Sequence, residues 1–299
     1  MKKSSKEKKL KKTFQEYYQK VSYEQAKALQ SFRQSVTYYT LIHKGIQWTY
    51  YLAGSGRQIL MIIPGGLRKP ESIFQELQLF QNDFRVLAPD IPFLMDSDDV
   101  LDGFLAILDQ EKIDKVNLAG RSFGGSLAQG FAALYPDKVR RLILCSTVYS
   151  DESHLKKTDQ ALKTYLSMPE RMVRSMTKWA FFNILKRDLG PDGKKYWKAY
   201  LNELFDSISV KEMMLSQLSI GKDLILRHPF TPVQISGFGD HILIIFAEND
   251  KVISGKDQAR YKEYFPNAKI KIFHTGGHIL FQTQASEYFE TIKDFITAE

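Results

Sequence analysis

The sequence predicts an α/β fold, in which a mostly parallel central sheet of about eight strands is flanked by helices and carries a helical cap insertion. Short apolar runs alternate with segments of helical periodicity along most of the 299 residues. At one strand-to-helix junction, residues 120–124 read Gly-Arg-Ser-Phe-Gly. The alternation stops in residues 150–238, where helix-like segments rich in methionine and aromatic residues replace it. We therefore expect a core of residues 36–149 and 239–299, a cap of residues 150–238, and an N-terminal extension of residues 1–35.

The N-terminal extension carries most of the net charge. Residues 1–12 hold seven lysines and one glutamate, and so contribute +6 of the formal net charge of +8. We expect this segment to be disordered. Apolar residues then recur at helical spacing and predict an amphipathic helix from Leu10 onward. They are Phe14, Tyr17, Tyr18, Val21, Ala26, Leu29 and Phe32. The sequence favours packing of this helix on the domain over weak contact with an anionic membrane through the lysines.

Composition excludes several other classes of protein. The remaining 287 residues carry a net charge of only +2 and no nucleic-acid-binding motif, so we expect no nucleic-acid partner. The N-terminus has no apolar signal-peptide region, and no apolar run is long enough to span a membrane, which predicts a cytoplasmic protein. The single cysteine, Cys145, lies in an apolar strand and is expected to be a buried, inert thiol.

The predicted strands begin with a hairpin and continue as buried parallel strands. Tyr38–His43 and Gln47–Ala53 alternate in polarity and are separated by Lys44-Gly45, a hairpin signal. The later strands are short segments of strand-like composition, and the one that begins at His241 contains a continuous apolar run. They are Gln58–Ile63, Phe84–Ala88, Lys115–Ala119, Arg141–Ser146, His241–Ala247 and Ala268–Phe273. Between them, Ser97–Gln110 is predicted to be a helix with Ser97 as its N-cap.

The serine of residues 120–124 has the surroundings of a nucleophile. It sits on a tight turn between a strand and a helix, which strains its backbone and exposes its hydroxyl at the carboxyl edge of the sheet. Glycines flank it because larger side chains would collide there. The following helix, residues 125–135, directs its N–H groups and positive dipole end to the place where an oxyanion would form.

Acidic and imidazole groups follow two downstream strands, as the partners of such a serine would. Glu248-Asn249-Asp250 come directly after one strand, and residues 274–278, His-Thr-Gly-Gly-His, follow the next. With these residues in the order serine, aspartate, histidine, residues 38–299 resemble the α/β-hydrolase superfamily. The resemblance implies that Ser122 is the nucleophile, His278 the base and Asp250 the acid.

Two rival assignments arise at these positions. Glu248 lies just past the same strand as Asp250 and could take the place of the acid, although Asp250 has the family spacing. His274 lies four residues before His278, but the glycine directly before His278 matches the Gly-His ending of the family.

The oxyanion hole is also assigned by resemblance. Pro64-Gly65-Gly66 follows a central strand where the superfamily usually has His-Gly-x. This position implies that the backbone N–H groups of Gly66 and Phe123 would bind the oxyanion. Read without the resemblance, the same residues form an ordinary glycine turn.

Four short runs are most similar to the maspardin-like branch of the superfamily. They are residues 101–104, 114–116, 141–145 and 264–268. Maspardin-like proteins are often binding or adaptor proteins, so the resemblance implies a non-catalytic scaffold as the alternative function. The presence of serine, aspartate and histidine at the family positions favours catalysis.

Together these features predict a serine hydrolase of the carboxylesterase type, acting on an ester or related acyl bond of a small, largely apolar substrate. A carbon–carbon bond hydrolase would use the same residues. The scattered histidines and the absence of a phosphate-binding loop predict no metal and no cofactor. The methionine and aromatic residues of the cap could line an apolar pocket or hold the cap helices together.

Overall fold

The computed structural model describes residues 12–147, 152–229 and 238–298, and its centre is an eight-stranded sheet. The strands are β1 (Tyr38–His43), β2 (Ile46–Ala53), β3 (Ile59–Ile63), β4 (Arg85–Pro89), β5 (Val116–Arg121), β6 (Val139–Cys145), β7 (Ile242–Ala247) and β8 (Lys269–Phe273). Their spatial order is β1-β2-β4-β3-β5-β6-β7-β8.

The sheet begins with an antiparallel hairpin and is parallel from β4 to β8. β2 pairs antiparallel with both β1 and β4, and the remaining neighbours pair in parallel. Lys44 and Gly45 both adopt positive φ in the hairpin turn, at 50° and 76°. Positive φ at both central residues suits the right-handed twist of the two strands. The predicted fold class is therefore confirmed.

A hydrophobic core lies on each face of the sheet, because side chains alternate along each strand. In β3, Leu60 and Ile62 enter one core, and Met61 and Ile63 enter the other. All six residues of β5 and of β7 are buried. Continuous burial of this kind explains why β7 reads as an uninterrupted apolar run, whereas β5 also buries the polar side chains of Asn117 and Arg121.

The helices cover both faces of the sheet. In chain order they are α1 (Phe14–Tyr18), α2 (Tyr23–Ser35), α3 (Phe74–Phe80), α4 (Ser97–Gln110), α5 (Phe123–Leu134), α6 (Leu155–Ser167), α7 (Glu170–Leu185), α8 (Pro191–Ser207), α9 (Val210–Arg227), α10 (Gly255–Tyr264), α11 (Leu280–Thr283) and α12 (Ala285–Thr297). None of the helices in the described residues is both long enough and apolar enough to cross a membrane.

The start of α4 differs from the prediction. Asp96, not Ser97, is the N-cap, and its side chain accepts a hydrogen bond from the N–H of Asp98. Both residue types can cap a helix, so composition alone did not separate them. Ser97 is buried as the first helical residue.

The N-terminal extension forms two helices, although one was predicted. α1 begins at a capping box between Thr13 and Glu16. α2 carries Leu29 and Phe32 into the core. The Tyr18 hydroxyl donates a 2.8 Å hydrogen bond to Glu203 of α8. The extension from residue 12 onward therefore packs on the domain, while Leu10 and the lysines before Lys12 lie outside the described residues.

Four helices, α6 to α9, lie between β6 and β7, where the cap was predicted. The strand β6 leads to them, and β7 follows them. Residues 150, 151 and 230–237 of the predicted cap lie outside the described residues.

Candidate active site

Ser122 occupies a strained turn between β5 and α5. It adopts φ 49° and ψ −121°, a conformation that is unfavourable for a residue with a side chain. The turn is held by the N–H of Ser122, which donates a 3.1 Å hydrogen bond to the Cys145 carbonyl at the end of β6. The strained serine is thus fixed at the carboxyl edge of the sheet.

Two glycines allow the backbone to pack closely around this turn. A Cβ atom at Gly120 would lie 2.4 Å from the Gly124 carbonyl oxygen. A Cβ atom at Gly124 would lie 2.3 Å from the carbonyl oxygen of Ile63, the last residue of β3. The glycines therefore bring the helix α5, the strand β5 and the loop after β3 into contact at Ser122.

Thr147 supports the turn from the other side, and sequence reasoning missed it. Its hydroxyl donates a 2.7 Å hydrogen bond to the carbonyl oxygen of Ser122. Thr147 is fully buried two residues after β6. Its position shortly after a parallel strand was the only signal in the sequence.

The structure brings His278 and Asp250 together. His278 Nδ1 lies 2.9 Å from Asp250 Oδ2, and their side chains are 12% and 0% exposed. The other carboxylate oxygen, Asp250 Oδ1, accepts hydrogen bonds from the N–H groups of Val252 and Ile253 at 2.8 and 3.2 Å. Burial raises the pKa of Asp250, but the hydrogen bond and charge of His278, with the two N–H groups, outweigh it and lower the pKa below its ordinary value.

The rival residues form a separate pair at the surface. His274 Nδ1 lies 3.2 Å from Glu248 Oε2, and the two side chains are 90% and 56% exposed. Neither of them lines the cavity at Ser122. The structure therefore places Asp250 and His278, rather than Glu248 and His274, in a buried pair whose histidine lines the same cavity as Ser122.

A polar network ties the acid and histidine loops to the cap. Asn249 Nδ2 donates to Asp188 Oδ1 at 2.8 Å, and Asn249 Oδ1 accepts from the N–H of Gly277 at 2.9 Å. Asp188 lies just past the end of α7 in the cap. Asn249 precedes Asp250 and Gly277 precedes His278, so the network fixes both loops. Only the adjacency of Asn249 to Asp250 hinted at this role in the sequence.

Arg121, which precedes the serine, is held by a buried ion pair. Its Nη2 lies 2.8 Å from Glu76 Oε2, and Glu76 Oε1 accepts a hydrogen bond from the Tyr288 hydroxyl. Its guanidinium stacks 3.6 Å from the centre of the Phe281 ring. Burial raises the pKa of Glu76, against the opposing effects of Arg121 and Tyr288. These contacts anchor the Ser122 turn to helices α3 and α12.

Both predicted oxyanion residues lie close to Ser122 in sequence or in space, since Phe123 follows it directly and Gly66 lines the same cavity. The Phe123 N–H is the first of α5, where the helix itself provides no acceptor. Gly65 and Gly66 line the same cavity as Ser122. A Cβ atom at Gly65 would lie 3.8 Å from the Ser122 Cβ. The loop after β3 therefore runs directly beside the serine.

A cavity of about 320 Å³ opens at Ser122 and His278. Its walls are largely apolar, and the cap supplies Phe181, Ile184 and Met214. Gln217 of α9 adds a polar group, whose Oε1 is buried and has no hydrogen-bond partner among the described residues. Some of the predicted cap residues therefore do line a pocket.

Among the described residues, no group of three or more histidine, cysteine, aspartate or glutamate side chains is placed to hold a metal ion. Cys145 is buried, and burial raises the pKa of its thiol to about 12.

Comparison with known proteins finds one matching family model and several similar proteins. The profile of the family described as alpha/beta hydrolase fold matches residues 58–284. Maspardin of Danio rerio is 29% identical over 247 residues, which cover 80% of this chain and 75% of the relative. A 2-hydroxy-6-oxo-2,4-heptadienoate hydrolase of Pseudomonas putida is 26% identical over 199 residues, which cover 64% of this chain and 67% of the relative.

The solved structures share the fold. The crystal structure of a hydrolase from Pseudomonas aeruginosa superimposes with a TM-score of 0.73 and 16% identity, covering 88% of this chain and all of that one. An enol-lactonase from Burkholderia xenovorans superimposes with a TM-score of 0.67 and 17% identity, covering 87% of this chain and all of that one.

Proposed function

Since the chain belongs to the α/β-hydrolase family, we propose that it is a serine hydrolase that cleaves an ester or related acyl bond of a small, largely apolar substrate. One observation carries the proposal. A strained Ser122 and a His278 already paired with a buried Asp250 both border one apolar cavity. A purely structural role for these residues would not require their convergence at a cavity.

In the proposed reaction, Ser122 Oγ attacks the substrate carbonyl carbon while its proton passes to Nε2 of His278. Asp250 accepts a hydrogen bond from Nδ1–H and stabilises the imidazolium. The N–H groups of Phe123 and Gly66 bind the oxyanion. The intermediate then collapses, and the leaving alcohol takes the proton from His278. Water, deprotonated by His278, hydrolyses the acyl-enzyme and regenerates Ser122.

The cavity suggests the size of the substrate. About 320 Å³ is at the lower end of the range for ligand pockets, and the walls are mostly apolar. We therefore expect esters of short and medium acyl chains to be hydrolysed best.

Two other functions have support. The Pseudomonas putida relative is named as a hydrolase of 2-hydroxy-6-oxo-2,4-heptadienoate, which favours carbon–carbon bond hydrolysis as a second candidate reaction. The similarity to the maspardins, at 29% identity, supports a non-catalytic binding protein as a further candidate function.

The first test is hydrolysis of p-nitrophenyl esters from acetate to decanoate by the wild type and by Ser122→Ala, with labelling by a fluorophosphonate probe. The proposal expects turnover and labelling in the wild type and neither in the variant. Labelling without ester turnover would favour another reaction at the same nucleophile. Neither turnover nor labelling by the folded wild type would favour the binding scaffold.

A further inference from the structure

The outer face of helix α7 is apolar and exposed. Met172, Met176 and Trp179 recur at helical spacing, and their side chains are 53%, 46% and 71% exposed. They are part of the methionine and aromatic set that the sequence assigned to a cap pocket or cap core. The structure places them in neither location. A contiguous apolar stripe of this kind on a surface marks an interaction site.

Two lysines border this stripe. Trp179 lines a groove between α7 and α8 together with Phe182 and Leu201, and Lys178 and Lys198 stand beside them. Among the described residues, no carboxylate oxygen lies within ion-pairing distance of either lysine. Tryptophan flanked by lysines is typical of protein surfaces that lie at the boundary between lipid and water.

The basic N-terminal segment enters the domain at the same place. Lys12 Nζ lies 5.6 Å from the centre of the Tyr17 ring, and the Tyr17 hydroxyl donates a hydrogen bond to Asp206. Burial lowers the pKa of Lys178, and the charges of Lys12 and Lys198 lower it further, against Asp206. Six more lysines precede Lys12 in the sequence. The described end of this basic segment, Lys12, thus lies near Lys178 and the apolar stripe.

We propose that this surface, formed by Met172, Met176, Trp179, Lys178 and Lys198, docks on an anionic lipid bilayer. The apolar side chains enter the interfacial region, and the lysines lie at the depth of the lipid phosphates. A second copy of the chain suits this surface less well, because a two-fold contact would oppose the lysines of one copy to those of the other.

Docking would also place the proposed active site at the membrane. Ala180, which follows Trp179, is exposed and lines the cavity at Ser122. Phe181 and Ile184 of the same helix line that cavity as well. The substrate would then be an acyl compound that partitions into the bilayer, a step that rests on the proposed function.

Tryptophan fluorescence tests the docking directly, and it is measured on full-length Ser122→Ala so that catalysis plays no part. The chain has three tryptophans, and Trp48 and Trp197 are already buried. A blue shift on adding vesicles would therefore come from Trp179. We expect the shift with vesicles of phosphatidylcholine and phosphatidylglycerol, and none with phosphatidylcholine alone.

Vesicle flotation of variants separates the two parts of the surface. We expect Met176→Ala/Trp179→Ala to weaken vesicle binding at least about tenfold, because the variant removes apolar area that would enter the bilayer. We expect the same minimum loss for Lys178→Gln/Lys198→Gln, because each lysine near a charged bilayer contributes about a fivefold effect. Ile42→Ala removes an exposed apolar side chain from β1, and Lys115→Gln removes an exposed lysine just before the central strand β5. Both controls should bind like the parent.

The proposal fails if Trp179 shows no blue shift with anionic vesicles. It also fails if binding is unchanged in both double variants and is lost only when the lysines before Lys12 are replaced by glutamine. That result would assign membrane contact to the N-terminal segment alone. An acidic protein would then be the partner that the charge of the α7 surface favours.

Discussion

At the residue scale, two carboxylates that the sequence leaves as alternatives have different surroundings in the structure. Asp250 is buried, receives two backbone N–H groups and contacts His278. Glu248 is exposed and contacts His274 instead. Backbone donors and a buried imidazole hold Asp250 ionised and oriented, whereas solvent screens the Glu248 pair. Spacing in the sequence favoured Asp250, but only burial shows why it suits the role.

The proposed roles predict unequal effects of removing these two charges. Asp250→Asn should lower kcat about 10³- to 10⁴-fold, because the amide would favour the wrong tautomer of His278. Glu248→Gln should change kcat by less than about threefold. Steady-state kinetics on the best p-nitrophenyl ester would measure both. The assignment is wrong if the ranking is reversed.

Gln217 is a polar group in an apolar wall, and its Oε1 has no hydrogen-bond partner among the described residues. A buried acceptor without a partner costs about 1–3 kcal/mol, which a substrate donor would recover. We therefore expect Gln217→Leu to retain or improve kcat/KM for simple alkanoate esters. For esters with a hydroxyl on the acyl chain, kcat/KM should fall about tenfold.

The matched control for this position is Met214→Leu, which alters the same wall without removing a polar group. It should affect the plain and hydroxylated esters alike. Equal losses for both ester classes in Gln217→Leu would show that the amide does not recognise the substrate.

At the element scale, the sequence predicted the order of the strands and helices, but it did not predict the side-chain contacts that hold them together. The strands were recognised because burial on both faces leaves a purely apolar run, as in Ile242–Ala247. The Ser122 turn was recognised because its geometry restricts the residue types to glycine around it. Asn249 and Asp188 were missed, because their contact joins residues 61 apart and leaves no local pattern.

The Asn249 network predicts a loop-positioning effect. Asn249→Ala would free the Gly277 N–H and the Asp188 carboxylate, and so loosen the loops that carry His278 and Asp250. We expect kcat to fall about tenfold or more with little change in KM, and stability to fall by about 1–2 kcal/mol.

The control for this variant is Asn267→Ala, which removes an exposed asparagine outside the network. Kinetics and thermal unfolding should both match the wild type. A change in KM alone for Asn249→Ala would instead mean that the network shapes the pocket rather than the histidine loop.

At the scale of the whole molecule, helix α2 joins the core to the cap. Arg33 Nη2 lies 2.7 Å from Glu71 Oε1 and 2.8 Å from Glu203 Oε2. Glu71 belongs to the short 3₁₀ helix Pro70–Ile73, and Glu203 belongs to α8. The same two elements supply Ile73 and Trp197 to the cavity wall. The basic composition of the extension gave no sign of this link, since the two partners lie 38 and 170 residues away.

The link predicts coupled effects on stability and substrate binding. Arg33→Ala leaves two partly buried carboxylates facing each other without a cation, which should cost about 2–3 kcal/mol and lower the melting temperature by on the order of 5 °C. Loss of the Arg33 salt bridges between the two elements that form the cavity wall should raise KM more than it lowers kcat.

Arg57→Ala, which removes an exposed arginine, is the control and should leave the melting temperature and the kinetic constants unchanged. Because the salt bridges are only partly exposed, added salt should reduce the difference between Arg33→Ala and the wild type but not abolish it. An unchanged melting temperature in Arg33→Ala would show that the N-terminal helices cover the domain without joining its parts.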